Sequence, residues 1–247
     1  MKVEWSSAQD PQEYATHEFV AQVPNHRVVT GCLWIPNGPT KQNMLMAFGH
    51  GASGNRYQMP IPHLARRLAK QGIASLAMDG PVHGLRQRKT GDRLALTEEM
   101  RRPSMIEDMI VDWQSAVKIA ELKLEFEVKK FGYFGLSMGS IFGIPYLANR
   151  VREKQPIDVA TLGLLGTTGP VAAMANRLKR DASTIKSPVF FVMQLEDELF
   201  PRDGCLELFD TLGSTDKRLH ANPGLHPAVP AEEIDFCFNF VSDRLLD

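Results

Sequence analysis

The sequence predicts an α/β fold: a mostly parallel sheet of eight strands with helices on both faces and an antiparallel start. Three observations carry that expectation. Short apolar runs alternate with stretches whose apolar residues recur at helical spacing. Several runs are apolar at every position, as strands buried on both faces are. Two β-rich runs follow each other directly at the beginning, before any helical pattern.

Those two runs are His17 to Val23 and Arg27 to Ile35, rich in β-branched and aromatic residues, with Pro24-Asn25 as their turn. Asn43 to Phe48 is a continuous apolar strand ending in Gly49-His50-Gly51. A helix from about Pro62 to Lys70 stops at Gly72, and Ile73 to Met78 is the next strand. Met105 to Leu122 carries Met105, Ile106, Met109, Ile110, Trp113, Val117 and Ala120 at helical spacing. Lys130 to Gly135 reads as a strand and Met138 to Asn149 as a helix, although Gly143 and Pro145 inside it oppose helix formation. Val159 to Leu165 and Pro188 to Gln194 are further strands, with room for one helix between them. Lys217 to His220 is a last short strand, and Ala231 to Leu246 a closing helix. Pro81 to Pro103 has no clear pattern and reads as a short lid-like insertion. No linker divides the chain, so residues 1–247 are expected to form a single domain.

The composition is that of a globular protein with one large core: 247 residues, 43% hydrophobic, 23% charged, formal net charge −1. Intrinsic disorder and a disulfide-stapled mini-domain are excluded. The near-neutral balance argues against a nucleic-acid partner. Cys32, Cys205 and Cys237 are odd in number and far apart, which points to free thiols in a reducing compartment. The first ten residues hold Glu4 and Asp10 and no apolar core, so no secretory signal is visible and a cytoplasmic address is expected. Phe131 to Asn149 and Val159 to Asn176 lack charge over nearly a membrane span's length, but Gly and Pro punctuate both. They read as buried strand, turn and helix, with no membrane partner.

In parallel sheets ligands bind beyond the carboxyl ends of the strands, so chemistry is sought in the residues that follow them. After Lys130 to Phe134 stands Gly135-Leu136-Ser137-Met138-Gly139, a G-x-S-x-G between strand and helix. A sharp turn of this kind exposes the serine hydroxyl, and glycines two residues away avoid collision. The bland reading is a Gly-rich turn with a capping serine.

With this motif in this context, the sequence resembles the α/β-hydrolase superfamily, in particular its small serine esterases and the dienelactone-hydrolase-like branch. The resemblance runs from about residue 17 to 246. The best-known dienelactone member uses cysteine as nucleophile; Ser137 points to the serine-dependent relatives. The family's chain order is serine, then acid, then histidine. Only His220 and His226 follow a plausible acid. Asn222-Pro223-Gly224-Leu225-His226-Pro227 resembles the family's G-x-H loop, so His226 is the expected base and His220 a structural residue. Glu196, Asp197 and Glu198 compete as the acid. Asp197 stands four residues before Pro201, as in the family's D-x-x-x-P loop, and the two glutamates read as solvated flankers. The oxyanion donors implied are the N–H groups of Met138 and of Ala52, the latter in His50-Gly51-Ala52-Ser53-Gly54, which resembles H-G-x-x-G. His50 reads as ordering that loop. Asp79-Gly80-Pro81-Val82-His83-Gly84 resembles the structural D-x-x-x-H-G turn.

The resemblance therefore implies hydrolysis of a small-molecule carboxylic ester through an acyl-enzyme on Ser137, with no cofactor and no metal. Three other readings stand beside it: acyl transfer by the same residues, a non-catalytic receptor on this fold, and a dinucleotide-binding oxidoreductase. For the last, Gly49, Gly51 and Gly54 form G-x-G-x-x-G, and Asp79 ends the next strand. Against it, Pro60 and Pro62 delay the helix well past Gly54, and Ser137, Asp197 and His226 are left without roles. Arg86, Arg88, Lys89, Arg93, Arg101 and Arg102 would suit an anionic substrate, though a solvated face is the commoner meaning of such a run.

Overall fold

Nine strands and seven α-helices form among the described residues, 2–7, 14–23, 27–38, 43–88 and 94–247 of a computed structural model. They belong to two units, Met1–Lys129 and Lys130–Asp247.

The first unit holds β1 (Lys2–Ser7), β2 (Tyr14–Val23), β3 (Arg27–Pro36), β4 (Met44–Gly49), α1 (Ile61–Lys70), β5 (Ala74–Met78), α2 (Leu94–Met100) and α3 (Met105–Leu124). Its strands lie in the order β1-β2-β3-β5-β4. The first three pairings are antiparallel and β4 runs parallel to β5, so the antiparallel start is present. β4 and β5 are buried along their whole length, as their unbroken apolar runs predict. β1 is a strand more than expected. It is an exposed edge with only Val3 and Trp5 to mark it, and Trp5 packs on Phe19 with ring centroids 5.6 Å apart. The Pro24-Asn25 turn lies outside the described residues, as do residues 89–93 of the insertion. Within the rest of that insertion α2 forms, where no pattern was read.

The second unit holds β6 (Lys130–Gly135), α4 (Met138–Arg152), β7 (Val159–Gly163), α5 (Ala175–Ala182), β8 (Val189–Gln194), α6 (Arg202–Thr211), β9 (Lys217–Asn222) and α7 (Ala231–Leu246). The order β6-β7-β8-β9 is parallel throughout, with Phe134 opposite Thr161, Leu162 opposite Phe191 and Phe191 opposite Leu219. Parallel strands send the segments that follow them to one edge of the sheet. Residues 136–137, 195–201 and 223–230 therefore gather there. α4 and α7 both pack against β6 and β7. α6 was not anticipated, because it offers the core only Gly204, Cys205 and Leu208.

The glycine inside α4 has a clear cause. A Cβ at Gly143 would lie 2.3 Å from the Tyr133 ring, whose hydroxyl donates to Gly139 O at 2.7 Å. Ring and helix touch because that Cβ is missing. The three cysteines are buried, and no disulfide joins them. No described helix is long and apolar enough to cross a membrane.

Candidate active site

Ser137 sits between β6 and α4 with φ 56° and ψ −121°, a region that costs a non-glycine residue about 1–3 kcal/mol. Neighbouring bonds hold it there. Ser137 N–H donates to Gly163 O at 2.9 Å. Ser140 Oγ accepts the Gly163 N–H at 2.8 Å and lies 2.6 Å from Gly135 O and 2.9 Å from Gly163 O, to one of which its proton goes. Ser140 thus staples the start of α4 to the ends of β6 and β7, a role that sequence reasoning missed. Its only signal was a hydroxyl three residues past Ser137. A Cβ at Gly135 would meet the Gly139 carbonyl carbon at 2.7 Å, which accounts for the glycine at that end of the motif.

His226 Nε2 lies 2.8 Å from Ser137 Oγ, and its Nδ1 lies 2.7 Å from Asp197 Oδ2. An ionised carboxylate only accepts, so Nδ1 carries the proton and Nε2 accepts from the serine hydroxyl. The Asp197 side chain is 1% exposed. Its Oδ1 accepts the N–H groups of Leu199 and Phe200, each at 2.9 Å. The Phe200 ring centroid is 5.6 Å from that of His226. Burial, helped by the Asp197 charge, pushes the nearby Cys205 thiol up to about 12, so it stays protonated and is no rival nucleophile. The three residues selected by motif therefore form one chain of hydrogen bonds, all within the second unit. Such a chain can take a proton from serine and return it to a leaving group.

Glu196 and Glu198 are exposed, as flankers would be, but they are not merely solvated. Glu196 accepts the Gly224 N–H, and Glu198 accepts the His226 N–H at 2.8 Å. His220 turns elsewhere. Its Nδ1 faces buried Glu233 of α7 at 3.0 Å, and its ring stands 4.4 Å from Phe190 and 5.3 Å from Phe236.

Met138 opens α4, so its N–H is one of the four that a helix start leaves without an internal partner. Ala52 lies in the first unit, in the turn after β4, where three side chains tie the backbone. His50 Nε2 accepts the Gly80 N–H at 2.7 Å, and its Nδ1–H donates to Gly51 O at 2.7 Å. Burial foremost, offset in part by the Gly51 carbonyl, brings the His50 ring down to about 4, so it is neutral. His83 places one ring nitrogen 2.8 Å from Ala52 O and the other 2.7 Å from Pro81 O. Gln58 Oε1 accepts the Gly51 N–H at 2.7 Å, and its amide donates to Ser53 Oγ at 3.0 Å.

The same unit speaks against a dinucleotide site. α1 begins at Ile61, and the space beside Gly54 is filled by the Gln58 side chain. Asp79, fully buried, accepts from Thr30 Oγ1 at 2.6 Å, from Arg56 N at 2.9 Å and from the Arg56 guanidinium at 2.8 Å. No ribose reaches that carboxylate. Three residues of the basic run pair with carboxylates. Arg86 pairs with Asp112 at 2.7 Å, Arg88 with Glu99 at 2.6 Å, and Arg102 with Glu99 and Asp108. Lys89 and Arg93 fall outside the described residues. No group of three or more His, Cys, Asp or Glu side chains placed to hold a metal occurs among the described residues.

Several solved structures share this architecture. A cold-adapted esterase from an Arctic intertidal metagenomic library is 31% identical, covers 98% of this chain and 99% of its own, and superposes with a TM-score of 0.83. Acetyl xylan esterase from Paenibacillus sp. R4 is 17% identical, with 98% and 89% covered and a TM-score of 0.74. A predicted CIB-like hydrolase from Thermoplasma acidophilum is 18% identical, with 93% and 99% covered and a TM-score of 0.65. At such identities the last two show a common fold. No protein-family model and no curated protein sequence matches the chain.

Proposed function

The chain belongs to the esterases of the α/β-hydrolase fold, and on that premise we propose that it cleaves short-acyl carboxylic esters through an acyl-enzyme on Ser137. Residues 1–247 are taken as a single domain, in keeping with the 98% and 99% mutual coverage with the Arctic esterase. The observation that carries the mechanism is the Ser137–His226–Asp197 hydrogen-bond chain, at 2.8 and 2.7 Å, on a serine held at φ 56°.

Ser137 Oγ attacks the ester carbonyl carbon as its proton passes to His226 Nε2. Asp197 stays ionised, holds the Nδ1–H and favours the imidazolium that forms. The N–H group of Met138, at the start of α4, is assigned to the oxyanion of the tetrahedral intermediate. Collapse breaks the carbon–oxygen bond to the alcohol, which leaves with the proton from His226. Water then gives a proton to His226 and attacks the acyl carbon. A second collapse returns that proton to Ser137 Oγ and releases the acid.

Fluorophosphonate labelling followed by peptide mapping tests this. The adduct is expected on Ser137, with Ser137→Ala below about a thousandth of wild-type activity. Activity retained in Ser137→Ala, or lost in His220→Ala while His226→Ala stays active, contradicts the assignment.

A further inference from the structure

Each residue of the segment 194–198 touches the histidine loop. The Gln194 amide, wholly buried at the end of β8, donates to Ala228 O at 2.8 Å and lies 3.4 Å from Pro223 O and Leu225 O. Leu195 N–H donates to Asn222 O at 2.8 Å, and Glu196 N–H to Gly224 O at 3.3 Å. The Glu196 carboxylate accepts the Gly224 N–H in return. Asp197 takes the His226 ring, and Glu198 takes the His226 backbone N–H at 2.8 Å. The loop needs such ties. It contains Pro223, Gly224 at φ 114° and Pro227, and no regular structure resumes before α7 at Ala231. Carbonyls are met by an amide and N–H groups by carboxylates, so the chemistry of each contact suits its partner.

Resting on the reading of Ser137, Asp197 and His226 as the catalytic set, we propose that Glu198 and Glu196 are positioning residues: Glu198 anchors the His226 backbone while Asp197 anchors its ring, and Glu196 locks Gly224 two residues earlier. Two exposed glutamates serving only as solvated charge would have no reason to meet alternate N–H groups of this one loop. The His226 N–H, with the N–H of Glu198 itself, holds the Glu198 carboxyl below the usual carboxylate range, so it is ionised at neutral pH. The titratable groups that face it are Asp197, which opposes its charge, and His226, which favours it. Behind Asp197 stands Cys205 of α6, protonated as above.

Four enzymes are compared on p-nitrophenyl acetate, with thermal unfolding in parallel: wild type, Glu198→Gln, Glu198→Ala and the double variant Glu196→Ala/Glu198→Ala. Glu198→Ala is expected to lose about tenfold in kcat with KM nearly unchanged, and the double variant about a hundredfold, because an ångström of misplacement is worth that much. Glu198→Gln keeps an acceptor and is expected within about threefold of wild type, an order-of-magnitude margin for a retained neutral hydrogen bond. The rate of fluorophosphonate labelling of Ser137 should fall in the same order, with melting temperatures near wild type because both glutamates are exposed. Wild-type kcat in the alanine variants would overturn the proposal, as would a Gln variant no better than Ala. Ser137→Ala, run alongside, separates the two levels: if it stays active, the catalytic reading itself has failed; if it is dead while the glutamate variants are unaffected, only the positioning role has.

Discussion

A methyl group at position 143 would stand 2.3 Å from the Tyr133 ring, which is covalently tied into β6 and cannot withdraw cheaply. Gly143→Ala therefore sets two effects against each other. Helix propensity favours alanine by about 1 kcal/mol, whereas overpacking costs about 1–3 kcal/mol. The expected net outcome is a lower melting temperature, by a few degrees for a chain of this size, in a thermal scan. A rise would mean that the ring yields. Nothing in the structure explains Pro145. His50 gives a second expectation at this scale. Its ring titrates near 6.5 in an unfolded chain and at about 4 when folded. A depressed histidine stabilises fully above its unfolded value, and that stability is lost as pH falls from about 6.5 through 4. The loss is on the order of 3 kcal/mol for this one group. Unfolding curves at pH 7, 5.5 and 4.5 should show His50→Gln less acid-sensitive than wild type, though less stable at pH 7. Ser137, Asp197 and His226 were legible because motif and chain order single them out. Gly143, Glu196 and Glu198 were not, since the reason for each is a partner 10 to 28 residues away.

Elements buried on both faces announce themselves, which is why β4, β5, β7 and β8 lie close to where their apolar runs place them. Elements that give the core little are silent. β1 offers two apolar side chains and α6 a glycine, a cysteine and a leucine, and tertiary contact decides both. The junction of β6, α4 and β7 depends on one hydroxyl. Ser140→Ala would leave the buried Gly163 N–H without its acceptor, at a cost of about 1–3 kcal/mol. Because the same hydroxyl braces the strained turn at Ser137, kcat should fall while KM changes little. Urea unfolding and steady-state kinetics on one preparation check both. Full kcat in a destabilised Ser140→Ala would show that the turn holds its shape unaided.

At the scale of the whole molecule, the likeness to the Arctic esterase spans nearly the entire chain, and the crossover between β7 and β8 is short. That crossover holds a brief 3-10 turn, 169–174, and the eight-residue α5, which leaves no room for a large cap. Short p-nitrophenyl esters are accordingly expected to show higher kcat/KM than palmitate esters. Faster turnover of palmitate, or activation at a lipid–water interface, would contradict it. The ions buried in the first unit have a consequence of another kind. Arg56 joins Asp79 at 2.8 Å to Glu18 at 2.9 Å, with the Asp79 carboxylate fully enclosed. Removing one member of such a set strands the charge of another, which costs far more than the set contributes when whole. Mutational paths through these three positions thus begin with a step downhill in fitness, and escape needs two changes together. In a saturation library scored for folded protein, Arg56 and Asp79 should tolerate almost nothing, while the exposed pair Lys2 and Glu4, equally close at 2.8 Å, should accept nearly any residue.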